Sequence, residues 1–549
     1  MKVADYLVDT LANHGVTDVF GIPGGVVLEL LYAFDRDNRI TPHLSYHEQG
    51  AAFEACGYAQ CKHRLGVAYA TRGPGFTNLI TGIADAYADS IPVLFITAHA
   101  HGRSCYPLRF ENEQEMDTVS MVRRITKYAK AVDKLEEVGE AIQTACEQAI
   151  SGRKGPVFLD FSSRLWGQEM AMYAGAKEKL ERINQRTTAD EIVDAFSQAT
   201  RPIILVGDGI RQANAAGAFE AFVRDMKLPV LSSRCGQDVG AVSKYYYGYI
   251  GSHGIRYSNF ILEKADFVLV LGNRLGFPLK SESFVKVLGN KRIIRIDIDE
   301  GELALDIPHV ESYKCDIQDL LDALRDAETL RRDYSKWIET CEILRNELCD
   351  EDQNAVIRTL TKIISALESD VTICCDVGNN EFWVSRAYVE AKSRNRILYS
   401  KSFGALGCGV PKAIGASLST QKPVLCIVGD QGFQVNAQEL QMIAKEKLPV
   451  CVLVINNHSS GMIRSRQKAK YQSRFIHTTL NGGYSVPDIH GLARAHGIAV
   501  SDKAIVFPSV VDMEVDEAVD LEPSLPIGND CQDMYPYVDR KRYERLQSL

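Results

Sequence analysis

The chain has 549 residues, of which 46% are hydrophobic and 24% charged, so a disordered or fibrous protein is excluded and several globular domains are expected. It carries 62 Lys and Arg residues against 71 Asp and Glu residues, which gives a formal net charge of −9. Because there is no basic excess to release counterions, we do not expect the chain to bind nucleic acid.

The first 15 residues carry polar side chains at helical spacing, which predicts an amphipathic helix and not a signal peptide. No run of about 18 apolar residues is present, so no membrane span is expected. The 14 cysteines are scattered and form no CxxC pair. This pattern is typical of reduced thiols in a cytoplasmic protein, and it argues against disulfides and zinc sites.

Eight continuous apolar runs, rich in β-branched residues, alternate with helical stretches along the chain. They occupy residues 92–97, 155–161, 202–208, 267–273, 292–299, 371–378, 424–430 and 450–457. Continuous apolar strands between helices are typical of parallel sheets that are covered on both faces. Two polar stretches, 166–190 and 326–356, separate the runs into groups. The sequence therefore predicts an α/β protein of three doubly wound parallel-sheet domains, which span residues 1–165, 188–325 and 355–549.

The first domain contains four motifs that lie between its predicted strands and helices. They are Phe20-Gly21-Ile22-Pro23-Gly24-Gly25, Tyr46-His47-Glu48-Gln49-Gly50-Ala51-Ala52, Thr71-Arg72-Gly73-Pro74-Gly75-Phe76-Thr77-Asn78 and Ala84-Asp85-Ala86-Tyr87-Ala88-Asp89-Ser90-Ile91-Pro92. Two histidines, His99 and His101, follow the run at 92–97. Each is a candidate acid/base group, with a structural or exposed role as its alternative.

The middle domain contains Gly207-Asp208-Gly209 after a predicted strand. A dinucleotide-binding turn requires a third glycine, and Gln212 stands in its place. The sequence therefore does not favour a nicotinamide cofactor.

The most specific signal lies in the last domain, where Gly429-Asp430-Gln431-Gly432-Phe433 follows an apolar run and precedes a helical stretch. Asn457 ends the next apolar run, 27 residues after Asp430. This spacing predicts that the two side chains lie at the carboxyl ends of adjacent parallel strands, where α/β sheets bind ligands. A carboxylate and an amide oxygen suit Mg²⁺, and the amides of the turn suit a diphosphate. The alternative is that Asp430 caps a helix and Asn457 belongs to a turn.

Taken together and in this order, the motifs of the first and last domains resemble the thiamine diphosphate enzymes of the acetohydroxyacid synthase (acetolactate synthase) and pyruvate oxidase group. The resemblance covers nearly the whole chain. It implies a pyrimidine-binding, a central and a diphosphate-binding domain, with thiamine diphosphate and Mg²⁺ as cofactors. It also implies a homodimer or homotetramer, in which the cofactor lies between the first domain of one subunit and the last domain of another.

Glu48 matches the catalytic glutamate of the family. A carboxyl group beside the pyrimidine N1′ atom exchanges a proton with that atom, which prepares the cofactor for reaction. The alternative for Glu48 is a solvated surface charge. Gln114 matches a family glutamine near the reacting carbon, although Glu113 stands where the family usually has an aromatic residue.

Leu406 aligns with the large apolar residue that holds the two cofactor rings in a V, with an ordinary core position as its alternative. Gly378-Asn379-Asn380 matches the first turn that contacts the diphosphate, where the synthases commonly have Gln-His. Ser459 lies where the family offers a backbone carbonyl to the metal. In all, the resemblance implies cofactor contacts from Pro23, Gly24, Glu48, Asn78, Gly378, Asn379, Asn380, Gly404, Leu406, Gly429, Asp430, Gln431, Gly432, Asn457, Gly461 and Met462, and metal contacts from Asp430, Asn457 and Ser459.

Several positions depart from the family. Gly251-Ser252-His253-Gly254 is similar to a synthase segment that contacts FAD, but Arg274-Leu275-Gly276-Phe277 differs from the corresponding family run, so FAD binding is an open alternative. Gln431 replaces the third residue of the usual Gly-Asp-Gly. Arg466 stands where branched-chain synthases typically carry Trp, which suggests an anionic or strongly polar acceptor. The stretch after Ile498 is short, and the tail resembles synthase-like proteins of surface-polysaccharide pathways.

The sequence therefore predicts a thiamine diphosphate- and Mg²⁺-dependent carboligase. Such an enzyme decarboxylates a 2-oxo acid, here pyruvate or a relative, and joins the product to an acceptor carbonyl. A specialised role in a surface-polysaccharide sugar pathway is compatible with the departures. Two alternatives stay open: a simple 2-oxo acid decarboxylase, and a cofactor-binding paralogue without catalysis. The presence of Glu48, Asp430 and Asn457 argues against the second.

Overall fold

The computed structural model describes residues 1–62, 64–99, 113–173, 186–276, 281–304, 307, 309–325, 330 and 332–549. Within these residues the chain forms three six-stranded sheets, and the paired strands of each sheet run parallel. Helices connect successive strands. The predicted α/β class with three doubly wound parallel sheets is therefore confirmed.

The first sheet has the strand order β2-β1-β3-β4-β6-β5. Its strands are β1 Asp18–Gly21, β2 Thr41–Leu44, β3 Gly66–Tyr69, β4 Val93–His99, β5 Tyr128–Val132 and β6 Val157–Ser162. Its helices are α1 Val3–Asn13, α2 Leu28–Arg36, α3 Glu48–Lys62, α4 Pro74–Asp89, α5 Thr118–Val122 and α6 Leu135–Ile150. The amphipathic helix predicted at the start of the chain is α1.

The second sheet has the strand order β12-β11-β10-β7-β8-β9. Its strands are β7 Pro202–Val206, β8 Val230–Ser232, β9 Tyr246–Tyr249, β10 Phe267–Leu271, β11 Arg292–Asp297 and β12 Val310–Lys314. The helices of this region are α7 Arg186–Gln198, α8 Gly209–Gln212, α9 Ala216–Met226, α10 Gln237–Gly240, α11 Arg256–Lys264, α12 Glu282–Leu288, α13 Glu300–Leu303, α14 Ile317–Leu324 and α15 Ser335–Leu348.

The third sheet has the strand order β14-β13-β15-β16-β18-β17. Its strands are β13 Thr372–Cys375, β14 Ile397–Leu398, β15 Val424–Gly429, β16 Val450–Asn456, β17 Val500–Ser501 and β18 Ser509–Glu514. The remaining helices are α16 Ala355–Ser365, α17 Asn379–Glu390, α18 Gly409–Thr420, α19 Asp430–Val435, α20 Leu440–Glu446, α21 Gly461–Lys470, α22 Ile489–Ala495 and α23 Arg540–Ser548.

The eight predicted apolar runs are interior strands of the three sheets, each with a neighbouring strand on both sides. Residues of β4, β7 and β16 are buried along their whole length, because helices cover both faces of each sheet. An uninterrupted run of Val, Ile and Leu satisfies this environment, whereas a strand with one solvated face would alternate with polar residues.

The chain divides into two compact units. The first comprises the described residues of Met1–Lys179, Asp370–Asn380 and Arg396–Glu517, and thus holds the first and third sheets; the second comprises those of Leu180–Ser369, Glu381–Asn395 and Ala518–Leu549. The C-terminal tail therefore groups with the second sheet. The three domain intervals stated from the sequence stay predictions.

Inside the first unit, α3 packs closely against α18, and one hydrophobic core spans the first and third sheets. The contact depends on glycines. A Cβ atom added at Gly57 would overlap the carbonyl of Lys412, and one at Gly415 would overlap the carbonyl of Glu54. This close approach fixes α3, and with it Glu48 at its first turn.

No helix in the described part of the chain is both long and apolar enough to cross a lipid bilayer. None of the 13 cysteines within the described ranges forms a disulfide, and most of them are buried.

Candidate functional site

Asp430 and Asn457 lie at the carboxyl ends of two paired strands of the third sheet. β15 and β16 are parallel neighbours in which Gly429 is opposite Ile455. Asp430 begins α19 directly after β15, and Asn457 directly follows β16. The adjacency expected from the spacing is thus present in the fold.

The carboxylate of Asp430 is almost completely buried, with 2% of the residue exposed. Its Oδ1 atom accepts from the Tyr484 hydroxyl over 2.9 Å and from the backbone N–H of Gln431 over 2.7 Å. Its Oδ2 atom has no hydrogen-bond partner among the described residues. Burial raises the pKa of Asp430, and the Tyr484 hydroxyl, the backbone N–H groups of Gln431 and Ser459, and the nearby His458 limit the rise. A buried carboxylate with one unused oxygen is chemically suited to a cation.

Asn379 and Asn457 meet at Gly461. A Cβ atom added at Gly461 would lie 2.8 Å from Asn379 Nδ2 and 2.9 Å from Asn457 Nδ2. Both Asn379 amide atoms are buried, and neither has a partner in the described part of the chain. The absent side chain at Gly461, the first residue of α21, leaves a small polar cradle next to the strand ends. Met462 follows it and is half-buried.

Ser459 is buried in the loop that connects β16 to α21. Its hydroxyl donates to the Thr478 carbonyl over 2.6 Å, and its own carbonyl accepts from the Gly461 N–H over 2.8 Å. A carboxylate, an amide and a backbone carbonyl at one strand edge make a donor set that hard divalent cations prefer. The described residues contain no cluster of three or more His, Cys, Asp or Glu side chains that would hold a metal, so any metal here relies on the single carboxylate.

The turn after β13 is organised by Asp376, which sequence reasoning missed. The Gly407 N–H donates to both Asp376 oxygens over 3.0 and 3.1 Å. A Cβ added at Gly432 would overlap the same carboxylate, so only glycine fits there. Asn380 donates to the Asp376 carbonyl over 2.6 Å, while Gly378 has a φ of 130° that favours glycine. An acidic residue directly after an apolar run was the available signal.

Leu406 is 38% exposed although it is a large apolar residue. It lies in the loop between β14 and α18, where Gly404 has a φ of 70°. An ordinary core position for Leu406 is therefore excluded. Gln431, on the first turn of α19, is also exposed.

At the edge of the first sheet, Glu48 is the first residue of α3 and is half-buried. Its Oε2 atom accepts from Asn78 Nδ2 over 2.9 Å. Its Oε1 atom lies 3.2 Å from the position that a Cβ would take at Gly75. The structure therefore brings together the Glu48 motif and the first turn of α4, and it excludes a fully solvated charge.

Gln114 lies beside the same turn. Its Cβ is 2.6 Å from the position of a Cβ at Gly73, and its own φ is 58°. Gly24 packs against Thr71, which would clash with any side chain there, while Pro23 is exposed. Gln114 and Glu48 thus flank one glycine-containing turn.

Glu439 is a second residue that the sequence did not reveal. It lies in the 3₁₀ turn Ala437–Glu439 and is buried. Both of its carboxylate oxygens accept the Tyr46 N–H, over 3.1 and 3.2 Å. Burial raises the pKa of Glu439 to about 7. This carboxyl holds the chain just before α3, where Glu48 begins the helix.

His99 ends β4 and is buried between two acids. Its Nε2 is 2.7 Å from Asp133 Oδ1, and its Nδ1 is 3.3 Å from Asp160 Oδ1. Burial would lower the pKa of His99, but its contacts with Asp160 and Asp133 outweigh burial and raise it. These contacts favour the structural interpretation. His101, and Phe277 of the middle domain, lie outside the described residues.

The second unit holds the segment that resembles an FAD contact. It forms the loop between β9 and α11, where the Ser252 carbonyl accepts from the Leu525 N–H over 2.8 Å. The Gly251 carbonyl accepts from Asn259 Nδ2 over 3.1 Å. Both carbonyls therefore already accept hydrogen bonds from within the chain.

A cavity of about 430 Å³ lies elsewhere in this unit and is lined by Arg201, Trp337 and neighbouring residues. It contains none of the predicted site residues.

Comparison with known proteins gives matches along the chain. Three domain models of thiamine pyrophosphate enzymes match in order: the N-terminal TPP-binding domain at residues 1–121, the central domain at 189–324 and the C-terminal TPP-binding domain at 376–521. The acetolactate synthase large subunit of Lactococcus lactis is 32% identical over 96% of this chain and 95% of its own. The acetolactate synthase isozyme 2 large subunit of Escherichia coli is 31% identical over 97% and 99%. Chloroplastic acetolactate synthase 1 of Oryza sativa is 31% identical over 97% and 87%.

Proposed function

The chain belongs to the thiamine pyrophosphate enzymes, within the acetolactate synthase large-subunit group, and from that membership we propose that it is a thiamine diphosphate- and Mg²⁺-dependent 2-oxo acid carboligase. The observation that carries the proposal is the third-sheet edge, where the buried Asp430 Oδ2 and the Asn379 amide lack partners among the described residues. Such atoms are stabilised when a ligand supplies the missing contacts.

When bound, thiamine diphosphate supplies a carbon nucleophile and an electron sink for the loss of CO₂ from a 2-oxo acid. Glu48 would hold and exchange a proton with the cofactor pyrimidine. Asn78 fixes the Glu48 Oε2 atom through a 2.9 Å hydrogen bond, which leaves Oε1 free to carry that proton. Gly75 keeps the space beside Oε1 open. Gln114 would contact the reacting substrate from the other side of the turn.

Asp430, Asn457 and the Ser459 carbonyl would hold Mg²⁺, and Asn379 with the cradle at Gly461 would hold the diphosphate. The support is chemical: one anionic oxygen, amide groups and a glycine that leaves room. Gly378, Gly404, Gly429 and Gly432 shape the surrounding turns. Leu406, held out of the core, would support the cofactor rings.

We further propose that the functional assembly is a homodimer or homotetramer, in which the Glu48 edge of one copy and the Asp430 edge of another form one active site. The exposure of Leu406 and of the neighbouring Phe403, at 38% and 47%, supports a surface that a ligand or partner covers. Native mass spectrometry with and without cofactor measures the state directly.

The donor substrate is proposed to be pyruvate or a relative, and the acceptor a carbonyl compound with an anionic group. Arg466 supports the acceptor proposal, because it is exposed on α21 near the Asn457 loop. A nucleotide-linked keto-sugar is one such acceptor, and it would fit a specialised role in polysaccharide synthesis. The described cysteines form no disulfide, which supports the proposal of a cytoplasmic location.

The test is product analysis by mass spectrometry. The protein is incubated with pyruvate, thiamine diphosphate and Mg²⁺, together with 2-oxobutyrate or a nucleotide-linked keto-sugar. A carboligation product is expected. Release of acetaldehyde alone would favour the simple decarboxylase, and the absence of any pyruvate consumption would favour the non-catalytic paralogue. FAD remains an alternative cofactor, which the flavin absorbance of the purified protein decides.

A further inference from the structure

Two acids and one lysine form a buried ion cluster inside the first unit. Asp85 and Asp89 lie one turn apart at the end of α4, and Lys412 lies in the first turn of α18. Lys412 Nζ is 2.7 Å from Asp85 Oδ2, and these side chains are 1% and 0% exposed. With Ser400, whose hydroxyl donates to Asp85 Oδ1 over 2.6 Å, we call these residues the Lys412 cluster.

The cluster holds one stretch of backbone. The Ala405 N–H donates to Ser400 Oγ over 3.0 Å. The two oxygens of Asp89 accept the N–H groups of Lys401 and Ser402 over 2.6 and 2.7 Å. Three N–H groups between residues 401 and 405 are thus tied, directly or through Ser400, to acids of α4.

This arrangement is a poor means of stabilising a fold. Desolvation offsets most of the attraction in a buried ion pair, and apolar residues of similar volume often stabilise as well or better. Apolar side chains, however, cannot accept backbone N–H groups. The chemistry of the Lys412 cluster therefore suits the placement of a loop more than the stability of a core.

The tied stretch ends at Leu406, whose side chain is 38% exposed. On its far side the Gly407 N–H is held by Asp376 over 3.0 Å. An apolar side chain is thus kept out of the core by a backbone that is fixed on both sides. The other end of α4 carries Asn78, the partner of Glu48.

We propose that Asp85, Lys412 and Ser400 are positioning residues: they fix the backbone before Leu406, and with it the position from which the Leu406 side chain supports the thiamine rings. This inference rests on the proposed function, because it assigns Leu406 to the cofactor site. In the proposed site the diphosphate would be held elsewhere, at the Asp430 edge. Disturbing the Lys412 cluster is therefore expected to change turnover more than cofactor affinity.

The charges of the Lys412 cluster indicate which substitution tests the proposal. Burial would lower the pKa of Lys412, but Asp85 and neighbouring groups outweigh burial and raise it. Burial and Asp85 raise the pKa of Asp89. Lys401 and Lys412 both act on Asp89 electrostatically, and Lys412 alone forms the buried ion pair with Asp85. Lys412→Met therefore removes the cation that Asp85 contacts.

The test compares full-length variants loaded with thiamine diphosphate and Mg²⁺. For Lys412→Met we expect kcat with pyruvate to fall about tenfold or more, while KM and the cofactor Kd stay within about threefold. Independently of activity, amide hydrogen exchange should become faster in peptides that cover residues 399–407 and stay unchanged in β15 and β16.

Three further variants separate positioning from stability. Asp85→Asn/Lys412→Met removes both charges but keeps an acceptor for Ser400, so it should recover most of the lost kcat. Ser400→Ala removes the acceptor of the Ala405 N–H and the donor to Asp85 Oδ1 but keeps Lys412, so it should speed the same exchange with a smaller loss of kcat. The matched control is Lys422→Met, which removes an exposed lysine 3.9 Å from Asp370 and should change neither readout.

The proposal is overturned if the kcat of Lys412→Met falls only in proportion to its unfolded fraction, or if exchange at 399–407 is unchanged in Ser400→Ala. Should Lys412→Met not fold, the double variant and Ser400→Ala carry the same test. If the parent protein consumes no pyruvate, the proposed function fails, and the exchange data alone decide whether the Lys412 cluster holds the loop.

Discussion

The candidate chemistry is divided between two sheet edges whose polar groups are satisfied to different degrees. At the first-sheet edge, Glu48 is half-buried and already accepts a hydrogen bond from Asn78. At the third-sheet edge, Asp430 and Asn379 are buried, yet each has polar atoms without a partner among the described residues. Glu48 at the first edge already has a partner, whereas the proposed cofactor and metal would supply the partners that the third edge lacks.

This difference separates binding from reaction. An unpaired buried polar atom costs about 1–3 kcal/mol, and a ligand that pairs with it recovers that energy. Changes at the third edge should therefore abolish or weaken cofactor binding. Changes at Glu48 should leave binding intact and slow the chemistry, because its role is to carry a proton.

The largest effect is expected at Asp430. Asp430→Ala removes the one carboxylate of the proposed metal site, so Mg²⁺-dependent binding of thiamine diphosphate should be lost. Isothermal titration of the cofactor in the presence of Mg²⁺ measures it. The control is Asp370→Ala, which removes a carboxylate that is 43% exposed near Lys422. Cofactor affinity equal to that of the parent would remove Asp430 from the metal site.

Glu48→Gln should show the opposite pattern. The amide keeps the shape and the contact with Asn78 but cannot exchange a proton, and general acid–base groups typically contribute about 10²–10⁴-fold to rate. We expect cofactor binding within about threefold of the parent and slow exchange of the cofactor C2 proton, followed by quenched-flow NMR. Glu137→Gln, at a half-buried residue that pairs with Lys130, is the control. Unchanged C2 exchange would exclude Glu48 from the proton path.

How far sequence reasoning reached differs between the two edges. Eight interior strands were readable because both faces of each sheet are covered, so apolar runs mark them. Short or largely exposed strands such as β14 and β12 leave no such run and were missed. Asp430 and Asn457 were readable because one crossover places consecutive strand ends side by side. Asp376, Tyr484 and the Lys412 cluster were not, because their contacts join segments from about 30 to more than 300 residues apart and leave no local pattern.

A contact between the two halves of the first unit supplies a pH test. His43 on β2 lies 2.9 Å from Asp18 and 2.8 Å from Glu446. Burial would lower the pKa of His43, but these two acids outweigh burial and raise it from 6.5 to about 9. The shift corresponds to about 3 kcal/mol of stability at a pH below 6.5, and that stability is lost as the pH rises through 9.

We therefore expect the melting temperature of the parent to exceed that of His43→Gln by the largest margin near pH 6. The margin should shrink as the pH approaches 9.5, because the parent histidine then loses its proton. His309→Gln, at an exposed position, is the control. A margin that does not vary with pH would mean that His43 is neutral in the fold.

Substitution of Arg466 is expected to change the preference of the enzyme between acceptor substrates. A charge-assisted contact contributes about 1.5–3 kcal/mol, so Arg466→Trp should lower kcat/KM for an anionic acceptor relative to 2-oxobutyrate by about tenfold or more. Lys470→Trp, one turn later on α21, is the matched control. A ratio of kcat/KM values unchanged within about twofold would mean that Arg466 does not contact the acceptor.

The smallest effect is expected at Tyr484. Its substitution tests whether a ligand, and not the protein alone, satisfies the Asp430 carboxylate at the third edge. Its hydroxyl donates to Asp430 Oδ1 over 2.9 Å, and burial, with the Asp430 charge, raises the pKa of Tyr484, so the hydroxyl keeps its proton. Tyr484→Phe removes one hydrogen bond to a carboxylate but leaves the carboxylate itself. Such a bond contributes about 1 kcal/mol net, up to about 3 when the acceptor is charged.

If Mg²⁺ binds the Asp430 oxygens, the metal compensates for the lost donor in the loaded enzyme, and the penalty falls on the apo-protein. Tyr484→Phe should then lower the melting temperature of the protein without cofactor, and added cofactor should restore most of that loss. The Mg²⁺ concentration needed for cofactor binding should change by less than about tenfold. Tyr471→Phe, at a residue that is 65% exposed, is the control. An equal loss of stability with and without cofactor would mean that no ligand reaches the Asp430 carboxylate, and that the third edge is satisfied by the protein alone.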